Sequence, residues 1–221
     1  MSDLTQSTGT RQLWLKTEFV GFFIAAPILI AILLPPQQMF NALFLFAGVG
    51  LVLLSATRGF RWRSLRENWR NWRWTEVLLF CLAVFLSSLA IVLWSNPAAL
   101  FNLPRQRPEL LVLIWTLYPL VSALPQELLY RVLYFRRYDA ILPTGPRGDV
   151  LNAALFSLAH LMYWSWIVAL MTLAGGLLFA WAYRKRGSFF YALLLHGLAG
   201  NILFATGMGI YFYSGNVVRP F

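Results

Sequence analysis

Three ionisable side chains, Glu127, His160 and His196, lie inside apolar stretches of the sequence. An ionisable group within a membrane span costs about 2.5–3.5 kcal/mol on insertion scales, so each of them needs a reason. A carboxylate with a proton-accepting partner can deprotonate a water for attack on a carbonyl carbon, while a second imidazole hydrogen-bonds the oxyanion that forms. These residue types therefore predict peptide hydrolysis.

Other interpretations of the same residues stay open. Glu127 and Arg131 are four residues apart, so they could form only a helix-stabilising ion pair, and each histidine could be a packing residue. One carboxylate and two imidazoles could also bind zinc, which would activate water for the same reaction. The preferred mechanism requires no cofactor, and zinc is possible with Glu127, His160 and His196 as ligands.

The positions of the three residues along their segments indicate a shared depth. Each lies eight to ten residues from the nearest predicted inner end of its apolar segment. At 1.5 Å per helical residue, all three come out about 12–15 Å from that boundary. Three segments that cross in different directions would thus bring one carboxylate and two imidazoles to one level, which predicts a common site.

The composition of the chain indicates that these segments are membrane-spanning helices. Of 221 residues, 59% are hydrophobic and 12% charged, whereas roughly a quarter are charged in soluble domains. The apolar runs lack the alternation of barrel strands, so the predicted fold is all-α: a multi-pass transmembrane bundle forming one integral membrane domain over residues 1–221. Seven spans are predicted, with an eighth possible at the C-terminus, at 19–34, 39–56, 75–95, 110–124, 150–164, 167–183 and 188–205.

The net charge of +10 fits membrane topology better than nucleic-acid binding, because the basic residues lie between apolar segments. If the N-terminus is cytoplasmic, all 18 basic residues except Arg105, Arg107 and Arg219 lie on the inner side, as the positive-inside rule requires. The loop 58–74 interleaves arginines with Trp and Phe, a composition typical of the lipid headgroup layer. The bilayer is therefore a predicted partner, nucleic acid is not, and the site is expected to open from the cytoplasmic half.

The polar motifs, taken in order, resemble those of the CAAX prenyl protease and bacteriocin-processing (CPBP, or ABI) family. The chain reads QELLYR at 126–131, FSLAH at 156–160 and a later His196, against the family motifs EExxxR, FxxxH and HxxxN. The resemblance covers about 110–213. It implies an all-helical intramembrane endopeptidase of a prokaryotic plasma membrane, which cleaves a membrane-associated protein or peptide or serves bacteriocin self-immunity.

The resemblance also implies residue roles, and the chain departs from the family pattern at two positions. Gln126 replaces the first glutamate, usually assigned to water activation, and an amide cannot act as a general base, so Glu127 is the remaining acid. The third motif places Asn201, implied as an oxyanion donor, one residue late, with Gly200 at the expected position. The candidate catalytic residues are therefore Glu127, Arg131, His160, His196 and Asn201.

Two further functions remain alternatives. A member of the family that has lost catalysis would keep the fold and bind peptides, or confer immunity, without cleaving them. A transporter or proton-relay subunit could use the same glutamate and histidines, although such proteins often show paired repeats, which are not apparent here.

Overall fold

The structure, a computed structural model, describes residues 2–221, with side chains described from residue 9 onward. Seven helices of more than two turns follow one another, and no strand occurs among these residues. The first, α1, runs through Ser2–Val20, a π-helical turn at Gly21–Ala25, and Ala26–Leu33. The others are α2 (Met39–Ser55), α3 (Trp74–Ser95), α4 (Pro108–Arg137), α5 (Pro146–Ala159), α6 (Trp166–Lys185) and α7 (Phe189–Thr206).

Within the described residues, six helices are long and apolar enough to cross a membrane: α1, α2, α3, α4, α6 and α7. The fifth predicted span, 150–164, corresponds to α5, which has 14 residues and is about 21 Å long, short of a hydrocarbon core of about 30 Å. The possible eighth span is a four-residue helix, Gly209–Phe212. The all-helical prediction is confirmed, whereas the six candidate spans differ from the predicted seven or eight; the cytoplasmic N-terminus remains a prediction.

Helix α4 is much longer than the predicted span 110–124, because it continues without a break through Pro125 to Arg137. It contains two π-helical segments, Pro119–Ala123 and Leu128–Leu133, on either side of a short α-helical stretch, Leu124–Glu127. Proline removes a backbone N–H and crowds the preceding turn, and a π turn relieves that conflict without ending the helix. The candidate carboxylate is the last residue of the stretch between the two π segments.

The ends of α2, α4 and α6 and the starts of α5 and α7 lie on one face of the bundle, together with the loop 58–73. Ion pairs join elements there: Arg137 binds Glu18 of α1 with Nη2 2.8 Å from Oε2, and Arg184 of α6 lies 2.7 Å from Asp149 of α5. Helix α5 packs along α6, where a Cβ atom at Gly176 would lie 2.9 Å from Ala153 Cα. The small residue therefore permits the close contact that sets the position of the α5 C-terminus.

Candidate active site

Glu127 is the centre of a buried ionisable cluster that α4 and α7 form together. Its carboxylate is fully buried, with Oε1 2.9 Å from Nδ1 of His196 and Oε2 3.2 Å from Nε of Arg131. The two helices contribute residues that are 69 positions apart in the chain. The sequence prediction that these segments share one level is therefore realised as direct contact between the glutamate and one of the two histidines.

Arg131 supplies the positive charge that balances the buried carboxylate. Its side chain is fully buried and donates from Nη1 to the side-chain oxygen of Asn152 on α5 and, at 3.2 Å, to the backbone oxygen of Tyr130. The guanidinium also lies over the rings of Phe156 and Phe179, 5.1 and 5.8 Å from their centroids. Ring faces attract a cation, so these contacts partly replace the water that burial removes.

Asn152 has a positioning function that its sequence position alone did not reveal. Its amide nitrogen donates to the backbone oxygen of Tyr130 at 2.6 Å, while its oxygen accepts from Arg131. It therefore joins α5 to α4 and directs the guanidinium toward Glu127. The available sequence signal was a polar residue two helical turns before His160 on the same face of an apolar helix, which packing alone also explains.

His160 ends α5 and has a defined tautomer. Its Nδ1 lies 2.7 Å from the backbone oxygen of Phe156. A carbonyl oxygen can only accept, so Nδ1 carries the hydrogen and Nε2 retains a lone pair. The Phe156 ring lies against both histidines, with its centroid 4.7 Å from that of His160 and 5.6 Å from that of His196. His160 therefore lies near the Glu127–His196 pair but is separated from it by the Phe156 ring.

His196 is held in the same way by different partners. The carboxylate of Glu127 accepts the hydrogen of Nδ1, which leaves the lone pair on Nε2. The imidazole stacks on Phe179 with 4.7 Å between centroids and 12° between planes, and Phe156 meets it edge-on. An imidazole with a carboxylate behind it is a stronger base, because the carboxylate stabilises the imidazolium that forms when Nε2 takes a proton.

A mostly apolar cavity of about 560 Å³ adjoins this cluster. It is lined by side chains of α1, α2 and α4, by the turn after α5, and by the end of α7 and the segment after it. Among its polar lining residues are Ser122, Gln126, His160 and Tyr163, and neither Glu127 nor His196 is part of the wall. Gln126 donates from its amide nitrogen to Ser122 Oγ at 3.0 Å. Adjacent helical residues point about 100° apart, which explains why Gln126 faces the cavity while Glu127 faces the protein interior.

Tyr118 is a cavity residue that sequence reasoning missed. A Cβ atom at Gly200 would overlap the Tyr118 ring, so glycine at this position makes room for the tyrosine. The same ring meets His196 edge-on with 6.1 Å between centroids. The only sequence signal was glycine where the family motif has asparagine; nothing in the sequence showed that a residue 82 positions earlier fills the space.

Replacing Gly200 by alanine is therefore expected to destabilise the protein by about 1–3 kcal/mol, the usual cost of overpacking a closely packed interior. The matched control is Gly48→Ala on α2, where a Cβ atom meets nothing within 4 Å and the effect is expected to be neutral or slightly stabilising. Equilibrium unfolding in mixed detergent micelles measures both. Recovery of stability in a Tyr118→Leu/Gly200→Ala double variant would assign the loss to the Tyr118 contact. Equal stability of Gly200→Ala and the control Gly48→Ala would contradict the prediction.

Asn201 lies outside the cluster. Its side-chain nitrogen donates to the backbone oxygen of Trp115 at 3.2 Å, and its backbone oxygen accepts from the Trp115 indole at 3.0 Å. Successive residues of a helix are rotated by about 100°, so residue 201 is displaced from the face that carries His196. The structure therefore brings together Glu127, Arg131 and His196, with His160 adjacent, and attaches Asn201 to α4.

The possible zinc ligands do not meet as a metal site. Among the residues that the structure describes, no group of three or more His, Cys, Asp and Glu side chains is arranged to hold a metal ion. Glu127 Oε1 and His196 Nδ1 face each other, and Oε2 faces a guanidinium. In this arrangement one carboxylate oxygen accepts a hydrogen bond from His196, and the other lies against a positive charge.

Six apolar helices around a buried carboxylate and two imidazoles define an integral membrane protein with a candidate catalytic site beside an apolar cavity. Residues 108–212, just under half of the chain, match the family model described as type II CAAX prenyl endopeptidase Rce1-like. The match confirms the resemblance to the CAAX prenyl protease family that the motifs predicted, and the matched region holds all five candidate residues. No curated protein and no solved structure matched the chain.

Proposed function

We propose that the protein is an intramembrane endopeptidase that hydrolyses a peptide bond in a membrane-associated protein or peptide. The observation that carries the proposal is the contact between Glu127 Oε1 and His196 Nδ1, which are 2.9 Å apart, with Arg131 beside the carboxylate. All three residues lie in the region that matches a protease family. The adjoining apolar cavity suits a substrate that arrives through the bilayer.

In the proposed mechanism, the Glu127–His196 pair activates the attacking water. The lone pair on His196 Nε2 takes a proton from water as the oxygen attacks the carbonyl carbon, and Glu127 stabilises the resulting imidazolium. The imidazolium then gives this proton to the amide nitrogen as the C–N bond breaks, which releases the amine and a new carboxyl terminus. Arg131, with Nε 3.2 Å from the other carboxylate oxygen, supplies the balancing positive charge. His160 lines the cavity on the other side of the Phe156 ring with its own Nε2 lone pair, so it can accept a hydrogen bond from the substrate there.

The carbonyl oxygen becomes negatively charged during attack and needs a hydrogen-bond donor. Asn201, the residue implied by the family motif, is bonded to Trp115 instead. The side-chain amide of Gln126 and the hydroxyl of Tyr163 both belong to the cavity wall and both can donate. We assign oxyanion stabilisation to these two groups, which makes Gln126 a donor at the position where the family pattern has a base.

The test of the function is the accumulation of an uncleaved protein. Cells producing the wild type or His160→Ala, at matched protein levels, are compared by mass spectrometry of membrane-protein termini. We expect one or a few membrane proteins to be shortened only with the wild type, because His160 faces the cavity where the bond is cleaved. Identical termini in both strains would contradict proteolysis at this site.

A second prediction concerns the metal. Since Glu127 is engaged by His196 and Arg131, water activation by this pair requires no metal, and cleavage is expected to survive a strong zinc chelator unchanged. The measurement is the initial rate of substrate cleavage in detergent micelles with and without chelator. A loss of activity that added zinc restores would favour the alternative in which Glu127, His160 and His196 bind the ion.

Peptide binding without cleavage is the second candidate function, and one observation favours it. Gln126 and His160 both line the cavity, whereas the carboxylate of Glu127 is fully buried and does not line it. A non-catalytic member would then hold a peptide in the cavity through the same polar groups. Intact peptide that co-purifies equally with the wild type and His160→Ala would support this function over hydrolysis.

A further inference from the structure

A second cleft, on the face that carries the loop 58–73, is lined by four arginines: Arg58, Arg61, Arg136 and Arg184. Its volume is about 560 Å³, and it lies apart from the candidate active site. Only two acidic residues, Glu67 and Asp139, line the same space, so the cleft carries a positive excess. Converging guanidinium groups in a polar recess are the usual way in which proteins bind a phosphate group.

The loop arginines are free to bind a ligand. Among the described residues, the side chains of Arg58 and Arg61 have neither an ion pair nor a hydrogen bond, although the acidic residues Glu67 and Asp139 line the same cleft. By contrast, Arg184 already lies 2.7 Å from Asp149. A basic residue without a partner at the wall of a recess leaves its hydrogen-bond donors available for an anion.

The cleft lies at the level of the lipid headgroups. Three candidate spanning helices end beside it: α2 just before Thr57 and Arg58, α4 at Arg137, and α6 at Lys185. The loop also carries Trp62 and Trp69, which are about half exposed, and Trp74 at the start of α3 is 65% exposed. Exposed tryptophans at helix ends are typical of the membrane interface, so a phosphate that reaches these arginines is at the depth of a phospholipid headgroup.

Hydrogen bonds hold the loop 58–73 against the end of α6, so the loop forms a defined wall of the cleft. Asn71 donates from its side-chain nitrogen to the backbone oxygen of Arg186 at 2.6 Å, and Asn68 donates to the oxygen of Gly187 at 3.4 Å. Gly187 has φ +64°, a left-handed conformation that turns the chain from α6 into α7 and presents this carbonyl to the loop. The positions of Arg58 and Arg61 relative to α4 and α6 are thereby set.

We propose that this cleft binds the phosphate of an anionic phospholipid headgroup, with Arg58 and Arg61 as the principal donors and Arg136 of α4 as a further donor in its lining. The function of such a site is to hold the loop 58–73 and the ends of α2, α4 and α6 against the anionic surface of one leaflet. The proposal concerns lipid binding alone and does not depend on whether the protein cleaves peptides.

The test uses the full-length protein reconstituted in nanodiscs of equal parts phosphatidylcholine and phosphatidylglycerol, with retained lipids counted by native mass spectrometry after extraction. We expect the wild type to retain phosphatidylglycerol in preference to phosphatidylcholine. Arg58→Gln/Arg61→Gln is expected to lower that retention about tenfold, the effect of losing charge-assisted hydrogen bonds to a phosphate. Arg63→Gln/Arg66→Gln is the matched control, because it removes the same charge from the same loop at exposed positions that do not line the cleft.

Two outcomes would overturn the proposal. Equal loss of phosphatidylglycerol in both double variants would show that net loop charge, and not the cleft, attracts the lipid. Retention unaffected by Arg58→Gln/Arg61→Gln would show that these arginines bind no headgroup. A further arm adds millimolar inorganic phosphate: displacement of phosphatidylglycerol by free phosphate would identify a soluble phosphate site instead of a lipid site. Circular dichroism of each variant checks that the helices are intact.

Discussion

Replacing Glu127 by glutamine is expected to lower the rate of substrate cleavage at least a hundredfold. The amide keeps the shape of the side chain and can still accept the hydrogen of His196 Nδ1, but it cannot stabilise the imidazolium that forms when Nε2 takes a proton. Replacing the carboxylate behind a catalytic histidine by an amide can lower the rate about 10⁴-fold. The measurement is the rate of cleavage by purified protein in micelles, at matched amounts of folded protein.

Glu109→Gln is the matched control for this prediction. Glu109 lies on the same helix, α4, and also pairs with an arginine, Arg107, yet its side chain is 67% exposed and far along the chain from the cluster. Its replacement is expected to leave cleavage unchanged. Full activity of Glu127→Gln would show that the water is activated without this carboxylate, and the role assigned to the Glu127–His196 pair would then be wrong.

Replacing Arg131 by methionine is expected to have the largest effect on stability, about 3–5 kcal/mol. The arginine and Glu127 form a fully buried pair, and removing one partner leaves the other charge uncompensated in a site without water. The substitution also leaves the side-chain oxygen of Asn152 without its donor. Equilibrium unfolding in mixed micelles gives the free energy of unfolding.

The control for the stability prediction is Arg107→Met, which breaks the exposed pair with Glu109 and is expected to cost less than about 1 kcal/mol. The double variant Glu127→Gln/Arg131→Met should lose less than the sum of its single variants, because neither charge is then left alone. If Arg131→Met and Arg107→Met are equally stable, the buried pair does not hold the site together.

Much of the architecture was predictable because a helix that crosses the hydrocarbon core needs about 20 mostly apolar residues, which are visible in the sequence. The apolar runs predicted at 39–56, 75–95, 167–183 and 188–205 agree with α2, α3, α6 and α7 within a few residues. The run predicted at 110–124 was placed correctly but ended too soon, because prolines inside α4 are accommodated by π turns. The run 150–164 is a shorter helix followed by a turn, since His160 ends α5 and its side chain bonds back to Phe156.

The proximity of Glu127 and His196 was predictable from the sequence, whereas the directions of their side chains were not. Counting residues from the helix ends placed Glu127 and His196 at one depth, and they are in contact. Which way each side chain points depends on helix rotation, and the π segments of α4 change that rotation locally, so the burial of Glu127 behind Gln126 did not follow from spacing. The Tyr118–Gly200 contact depends on how closely two helices approach, which no local pattern specifies.

The most direct test of the proposed chemistry follows the oxygen of water. The wild-type protein and Glu127→Gln, each in nanodiscs, are incubated in ¹⁸O-labelled water with solubilised membrane proteins from cells that lack the protein. New C-termini are then read by mass spectrometry. Hydrolysis by the Glu127–His196 pair predicts new C-terminal carboxylates containing ¹⁸O with the wild type and not with Glu127→Gln. The same labelled termini from both proteins, or none from either, would contradict that account.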